Sequence, residues 1–106
     1  MKMIRAIIRT EQEGAVLDNL ESSGLFAVTK IPILGRGQQR GIQVGKVSYG
    51  TLAKLMLILF VEEEEYEKAL EAIETGADTG HPGDGKIFVQ EVSEAYNIRT
   101  GMKDAS

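Results

Sequence analysis

The chain has 106 residues, a formal net charge of −4, no cysteine and one histidine, His81. A chain of this length forms one domain, spanning residues 1–106, and buries roughly two-thirds of the surface of its unfolded form. The lack of cysteine excludes disulfides, thiolate zinc sites and cysteine nucleophiles. The acidic balance argues against nucleic-acid binding, which needs clustered Lys and Arg, and without an apolar span or leader we expect a cytoplasmic protein.

The first third of the chain predicts a strand, a helix and a second strand. Residues 2–9 alternate as a strand does, and residues 26–34 resume an extended pattern whose proline suits an edge strand. Between them, Thr10 and Glu13 have capping-box spacing, and a helix is expected up to residue 23. In the strand, Ile4, Ala6 and Ile8 share one face, and the other face carries Met3, Arg5, Ile7 and Arg9. In the helix, Val16, Leu17 and Leu20 recur at helical intervals.

The rest of the chain predicts a second β-α-β unit. Residues 35–51 are glycine-rich without durable periodicity, and we expect a mobile loop there. Residues 54–61 are apolar on both faces of a strand, residues 62–75 form an amphipathic helix with an acidic first turn, and residues 86–92 form the last strand. The predicted helix stripe is Tyr66, Ala69, Leu70 and Ile73.

These elements predict an α+β fold of the ferredoxin-like βαββαβ type, with a long flexible loop between its second and third strands. Two helices can cover one face of a four-stranded sheet. Because the strand at residues 54–61 places large apolar side chains on both faces, the other face needs a cover of its own. We therefore expect an obligate homo-oligomer that buries this face between subunits.

The segment GHPGDGKI, residues 80–87, nearly matches the phosphate-binding pattern G-x-x-x-x-G-K-[ST]. A loop of that class follows a strand and opens a helix, whereas this segment follows a helix and opens a strand. Its glycines still permit close backbone approach, and Lys86 supplies a charge. The segment is therefore either an anion site or a tight turn into a strand. Asp84 either accepts a ligand hydroxyl or caps this turn.

A second candidate anion site is the segment GRGQQRG, residues 35–41. Its two arginines and three glycines could hold anionic oxygens, or could form a flexible basic loop. The acidic run at residues 62–65 fits a dipole-matched helix start better than a cation site. The sequence has no paired carboxylates or nucleophile-base pair that would indicate an enzyme.

Together these segments resemble the PII family of nitrogen-status signalling proteins over nearly the whole chain. The residues that carry the resemblance are the opening MKMIRAIIR, the element G-x-G-x-Q-x-G at residues 35–41, TGHPGDGKIFV at residues 79–89 and IRTG at residues 98–101. The resemblance implies a homotrimer with clefts between subunits that bind ATP or ADP and, with magnesium-ATP, 2-oxoglutarate.

The resemblance also implies roles for individual residues. Gln39 would bind Mg²⁺ together with ATP and 2-oxoglutarate, Lys54 would pair with the distal carboxylate of 2-oxoglutarate, and Arg99 would reach the phosphates from a neighbouring subunit. The implied nucleotide-binding residues are Gly35, Arg36, Gly37, Gln38, Gly83, Asp84, Gly85, Lys86 and Arg99. The implied 2-oxoglutarate-binding residues are Gln39, Arg40, Gly41 and Lys54.

In this family, ligand occupancy changes the conformation of the T-loop, here about residues 36–53. Its implied partner-binding residues are Ile42, Lys46, Ser48 and Tyr49, and a tail follows from about residue 102 to residue 106. The loop lacks the context of the family's modified tyrosine, so modification of Tyr49 or Ser48 has no support in the sequence. The sequence also departs from the family pattern at Asn97 and Ile58, where an arginine and a glutamate are usual.

The shortened loop is similar to that of the nitrogenase-associated branch, in particular the first of its two paralogues. That resemblance implies a non-enzymatic sensor that regulates nitrogenase by binding the dinitrogenase component, with a possible mixed oligomer with the second paralogue. The alternative is a general PII protein that controls an ammonium transporter or glutamine synthetase, with membrane contact only through the transporter. A slow ATPase is a third hypothesis.

Overall fold

The computed structural model describes residues 1–35, 42–44, 47–49 and 52–104. Its four long strands form one antiparallel sheet in the order β2-β5-β1-β6, and two short strands, β3 and β4, pair separately. This arrangement confirms the predicted ferredoxin-like fold. The elements are β1 (Lys2–Arg9), a 3-10 turn (Thr10–Gln12), α1 (Glu13–Ser22), β2 (Thr29–Gly35), β3 (Ile42–Val44), β4 (Val47–Tyr49), β5 (Leu52–Val61), α2 (Glu63–Ala77) and β6 (Gly85–Glu91).

The register of the sheet brings distant parts of the chain to one of its ends. Arg9 at the end of β1 pairs with Lys54 near the start of β5, and Ile8 pairs with Gly85 at the start of β6. At the same end, Gly35 of β2 pairs with Leu52. The loop before β6 and the last residue of β2 therefore lie at the same end of the sheet as Arg9. The glycine loop is hereafter residues 78–85.

The helices cover one face of this sheet. The predicted alternation in β1 is confirmed, because Ile4, Ala6 and Ile8 are buried against the helices. The predicted helix stripes also pack inward, with Val16 and Leu20 of α1 fully buried. The remaining buried core side chains are Leu25, Leu55, Leu57, Leu59, Val61, Ala69, Ala72, Ile73 and Ala77.

The opposite sheet face, hereafter the open face, has no cover in the described part of the chain. Phe60 is 56% exposed and Phe88 is 45% exposed, and exposed apolar side chains grouped in this way are typical of a protein–protein interface. The predicted excess of apolar side chains on this face is confirmed. The other apolar side chains placed there by the register are Met3, Ile7, Ile31, Ile33, Met56 and Ile58.

Two local predictions for the helices had different outcomes. The predicted capping box at Thr10 is wrong: Thr10 opens a 3-10 turn, the α-helix begins only at Glu13, and no side chain caps either start. A capping box is instead found at α2, where the side chain of Glu62 accepts the backbone N–H of Glu65 and the side chain of Glu65 accepts the backbone N–H of Glu62. The acidic first turn predicted for α2 is confirmed.

The predicted loop boundaries also need correction. Leu52 and Ala53 belong to β5, because they pair with Gly35 and Leu34, so the predicted loop at residues 36–53 ends earlier. The strands β3 and β4 lie inside that predicted loop, and their three-residue lengths are too short to give a periodic signal. In the described part of the chain, no helix is long and apolar enough to cross a membrane.

The described part of the chain closes with a turn over residues 96–103. The N–H of Asn97 donates to the carbonyl oxygen of Met102 at 2.9 Å, and Tyr96 forms a bridge with Lys103. The predicted tail at residues 102–106 therefore begins inside this turn. The Oδ1 atom of Asn97 accepts the N–H of Thr100 at 3.2 Å, so this departure from the family pattern stabilises the turn.

Candidate functional site

Three basic side chains lie together on the open face, at the end of the sheet where β6 begins. Arg9 and Lys54 are cross-strand partners, and Lys86 is paired with Ile7, two residues before Arg9 on the same face. Their placement follows from strand alternation, since positions 7 and 9 of β1 point away from the buried positions 4, 6 and 8. The result is a cationic end to a largely apolar surface, whose other charged side chain in the described sheet is Arg5.

The glycine loop rests on two of these cations. The Nζ atom of Lys54 donates to the carbonyl oxygen of Gly83, and the Nη2 atom of Arg9 donates to that of Pro82 at 2.7 Å. The Nε atom of Arg9 also donates to Oδ1 of Asp84 at 3.0 Å. Charge-assisted hydrogen bonds of this kind are stronger than neutral ones. The basic end of the sheet therefore fixes the position of the loop.

Asp84 closes the loop on itself. Its Oδ2 atom accepts the N–H of Thr79 at 2.7 Å and that of Gly80 at 3.1 Å, and its Oδ1 atom also accepts the hydroxyl of Thr79. The Thr79 hydroxyl, followed by the Thr79 amide and Arg9, holds the pKa of the Asp84 carboxyl far below its usual range, against the opposing effect of desolvation. The carboxylate is therefore charged at any physiological pH.

The glycines of the loop are required by its backbone. Gly83 has φ 94° and Gly85 has φ 122°, a region that favours glycine. A Cβ atom on Gly85 would lie 1.8 Å from the carbonyl oxygen of Ile7, so the entry into β6 has no room for a side chain. The pattern of glycines thus reflects both a turn and a close approach of the loop to the sheet.

A cavity of about 520 Å³ adjoins the start of β6 on its helix side. Its apolar lining comes from Ile8, Ile73, Ala77 and Ile87, and its charged lining is mostly acidic, with Glu74, Asp78 and Asp84 beside the single cation Lys86. This volume lies within the range typical of small-molecule sites. The start of β6 is therefore approachable from both faces of the sheet.

The structure brings together five of the predicted site residues, Lys54 and the four residues Gly83, Asp84, Gly85 and Lys86. Gly35 ends β2 at the same end of the sheet. Within the chain Arg99 is remote from this end, since the whole of β6 separates its turn from the glycine loop, and Val92 bonds Met1 at the far end. A contact between Arg99 and this site thus requires a second subunit.

Other predicted residues fall elsewhere. The paired strands β3 and β4 contain Ile42, Ser48 and Tyr49, with Ile42 opposite Tyr49 and Gln43 opposite Ser48. The candidates outside the described residues are Arg36, Gly37, Gln38, Gln39, Arg40, Gly41 and Lys46.

Two residues of the site were missed by sequence reasoning. The strand pattern gave only the face of β1 on which Arg9 lies, because its bond to Asp84 joins residues 75 positions apart and follows only from the sheet register. Thr79 lies five positions before Asp84, within the segment TGHPGDG, where a hydroxyl and a carboxylate could have indicated a closed turn.

The chemistry of the described residues fits an anionic ligand. Guanidinium and ammonium groups converge with glycine backbone at one place, and these are the groups that bind phosphate and carboxylate oxygens. Among the described residues, no group of three or more His, Asp or Glu side chains could hold a metal ion. His81 is exposed at the loop surface. The predicted magnesium ligand, Gln39, lies outside the described part.

Comparison with known proteins gives a consistent result. A sequence model of the family described as Nitrogen regulatory protein P-II matches residues 1–102. The chain is 48% identical over 101 residues to the nitrogen fixation nifHD1 region GlnB-like protein 1 of Methanosarcina barkeri, covering 95% of this chain and 96% of that protein. It is 46% identical, with the same coverage, to the nifHD region GlnB-like protein 1 of Methanothermococcus thermolithotrophicus.

A relative with a more general name is also similar. The chain is 42% identical over 105 residues to the nitrogen regulatory protein P-II 1 of Methanothermobacter thermautotrophicus, covering 95% of this chain and 91% of that protein. The nitrogen-fixation names of the first two relatives match the nitrogenase-associated branch. PII proteins are trimeric signalling regulators. The chain belongs to the PII family of nitrogen regulatory proteins.

Proposed function

We propose that this protein is a nitrogen-status sensor that binds ATP or ADP and 2-oxoglutarate and regulates nitrogenase by direct binding. The observation that carries the proposal is that Arg9 and Lys54 both bond the glycine loop, with Lys86 following directly after it, at the end of the sheet where the segment 36–41 begins. This placement suits a ligand with several anionic groups. A signal produced by such binding needs no bond to be broken, so the proposed protein is not an enzyme.

The nucleotide phosphates would lie against the glycine loop. Lys86 supplies a point charge at its end, and Gly83 and Gly85 leave the backbone open to close approach. Arg36 and Gln38 would add donors from the segment after β2, and Arg99 would come from a neighbouring subunit. Magnesium would supply charge neutralisation between the phosphates, and Gln39 offers a neutral oxygen ligand for it.

The second ligand, 2-oxoglutarate, has two carboxylates and therefore needs two cationic partners. Lys54 is suited to the distal carboxylate, because its ammonium group lies at the root of the loop and already holds an oxygen atom, that of Gly83. Binding of the effector would exchange this carbonyl for a carboxylate. Since Lys54 touches the glycine loop, the effector and nucleotide positions are adjacent, which supports linked binding.

The proposed active form is a cytoplasmic homotrimer. The open face supports this, because Phe60, Phe88 and their apolar neighbours would be covered by other subunits. The trimer would also bring Arg99 to the site of a neighbouring chain. A mixed oligomer with a second PII paralogue would use the same face.

The proposed partner is the dinitrogenase component of nitrogenase. The names of the nitrogen-fixation relatives support this choice, and β3 and β4 give the intervening loop a surface that could contact a partner. Ligand binding at the root of the loop would shift the population of its conformations and so present or withhold that surface.

A binding and activity assay tests the partner. Purified protein is mixed with the dinitrogenase component, with magnesium-ATP, and with or without 2-oxoglutarate; complex formation and nitrogenase activity are measured. Without 2-oxoglutarate we expect the complex to form and nitrogenase activity to be inhibited. When 2-oxoglutarate is added, we expect the complex to dissociate and the activity to return. Capture by ammonium-transporter membranes or glutamine synthetase, with no binding to nitrogenase, would contradict the proposal and favour a general PII role.

A further inference from the structure

The Asp84 carboxylate has no acceptor position left for a ligand. An ionised carboxylate offers about four lone-pair sites. In the structure four donors occupy them: the Nε atom of Arg9 and the hydroxyl of Thr79 on Oδ1, and the N–H groups of Thr79 and Gly80 on Oδ2. A ligand hydroxyl could bond this carboxylate only by displacing one of them.

These four bonds define the path of the glycine loop. They tie residue 84 back to residues 79 and 80, and Arg9 adds a second bond to the carbonyl oxygen of Pro82. The loop is thus closed at its base and held to β1 through one guanidinium group. The backbone between these points includes Gly83, whose φ of 94° is maintained by the closure.

We propose that Asp84, with Thr79 and Arg9, positions the glycine loop for phosphate binding without contacting the nucleotide. This inference rests on the proposed nucleotide binding. The groups of the loop that bind the anion are then the backbone N–H groups and Lys86. The presence of an acidic residue, Asp84, inside an anion site is explained because its charge is neutralised by donors within the loop and by Arg9. Thr79 and Arg9 become positioning residues by the same bonds.

The isosteric change Asp84→Asn separates this role from a ligand contact. An amide keeps one acceptor oxygen, but its NH₂ group must face either the N–H groups of Thr79 and Gly80 or the Arg9 and Thr79 side chains, all of which are donors there. The loop closure must therefore break at one oxygen. Asp78 provides a matched control in the same loop, because its Oδ1 accepts one bond, from the N–H of Gly80, and an asparagine oxygen can keep it.

The test uses calorimetric titration with magnesium-ATP and with its 2′- and 3′-deoxy analogues, and amide hydrogen exchange of Thr79 and Gly80 in the ligand-free protein. We expect Asp84→Asn to weaken binding of all three nucleotides by one common factor, roughly 10- to 100-fold. We expect Asp84→Ala, which removes both acceptor oxygens, to speed exchange of the Thr79 amide, whereas the Gly80 amide keeps its bond to Asp78. Asp78→Asn should leave affinity and exchange close to wild type.

Thr79 supplies a second, milder pair of variants. Thr79→Val removes only the hydroxyl and should weaken the nucleotide roughly tenfold, whereas Thr79→Ser keeps the hydroxyl and should restore affinity. Because the Thr79 hydroxyl acts through Asp84, the double variant Thr79→Val/Asp84→Asn should bind no more weakly than Asp84→Asn alone.

The outcomes distinguish the alternatives. If the penalty of Asp84→Asn disappears with a deoxy analogue, or if the two substitutions add, Asp84 contacts the ligand and the inference is overturned. If wild type binds no nucleotide, the proposed function fails, and the positioning role is decided by exchange alone: unchanged Thr79 exchange in Asp84→Ala overturns it, and faster exchange supports the loop closure.

Discussion

Gly85 stands at the point where the glycine loop enters β6, and its replacement by alanine tests the close approach of loop and sheet. Its φ of 122° is unfavourable for any residue with a side chain, and the added Cβ would lie 1.8 Å from the carbonyl oxygen of Ile7 and 2.9 Å from its carbon. Contacts under 3.0 Å are essentially never seen for a real Cβ, so the start of β6 must move away from β1 by about 1.2 Å.

The cost of Gly85→Ala has two parts. A strained φ costs about 1 to 3 kcal/mol, and separating the strands at the pair of Ile8 with the exposed Gly85 weakens the sheet pairing by the net worth of one hydrogen bond, about 0.5 to 1.5 kcal/mol. We therefore expect a loss of about 1.5 to 4.5 kcal/mol, a large part of the stability of an ordinary domain. The loss should lower the melting temperature by roughly 10 °C or more.

Urea denaturation followed by circular dichroism measures this loss, at one fixed protomer concentration because assembly contributes to stability. Two glycines serve as controls because a Cβ added to either would meet no atom within 4 Å: Gly80, with φ +79°, and Gly14 in α1. Gly80→Ala should cost about 1 to 2 kcal/mol and Gly14→Ala should stabilise by about 0.5 to 1 kcal/mol. If Gly85→Ala costs no more than Gly80→Ala, the reasoning from close approach is refuted.

Three further predictions concern the site and the open face. Phe60→Glu places a charge on the open face and should convert the proposed trimer to monomers, as measured by sedimentation velocity. The control Lys68→Glu changes a charge on the exposed side of α2 and should leave the trimer intact. A trimeric Phe60→Glu variant would count against burial of the open face. Lys54→Met should weaken 2-oxoglutarate binding roughly tenfold or more in calorimetry while magnesium-ATP still binds, and equal loss of both ligands would remove the assignment. Because the folded-state pKa of Asp84 is lowered, its contribution to stability is present above its unfolded pKa of about 4 and is lost only as the pH falls further. Amide exchange of the glycine loop, corrected for intrinsic rates, should therefore be constant from pH 8 to about pH 5. A transition in that range would contradict the assignment.

Much of the fold could be predicted because one buried face leaves a clear record in the sequence. Ile4, Ala6 and Ile8 alternate in β1, and Ala69 and Ile73 recur at helical spacing in α2, so burial selects the residue types at fixed periods. The helix starts were less predictable. Thr10 and Glu13 have the spacing of a capping box, but Thr10 does not cap α1, because the chain leaves β1 through a 3-10 turn before α1 begins.

The excess of apolar residues in β5 could also be seen in the sequence. It correctly predicted that large apolar side chains lie on the face that the helices do not cover. Ile58, where the family usually has a glutamate, lies on that face between Met56 and Phe60 and pairs with Arg5 and Thr29. This departure therefore extends the apolar surface. Its effect on nucleotide preference stays a prediction, as does that of Asn97.

The site could be predicted only in part, because its contacts join distant positions. The glycines and Lys86 were visible as a local motif, but the sequence left Asp84 undecided between a ligand contact and a turn cap. The bonds to Thr79 and Arg9 show the turn closure, and the second of them depends on the register between β1 and the loop before β6. Sequence spacing has no signal for such a contact. The short strands β3 and β4 were missed for a different reason, since three-residue strands within a glycine-rich segment are too short to show a period.

Calorimetric titration with magnesium-ATP, repeated with and without 2-oxoglutarate, tests the central claim most directly. The claim is that the cationic end of the open face and the glycine loop form one linked site for two anionic ligands. We expect magnesium-ATP to bind alone and 2-oxoglutarate to bind only in its presence. Absence of nucleotide binding, or 2-oxoglutarate binding of equal strength with and without magnesium-ATP, would contradict the account.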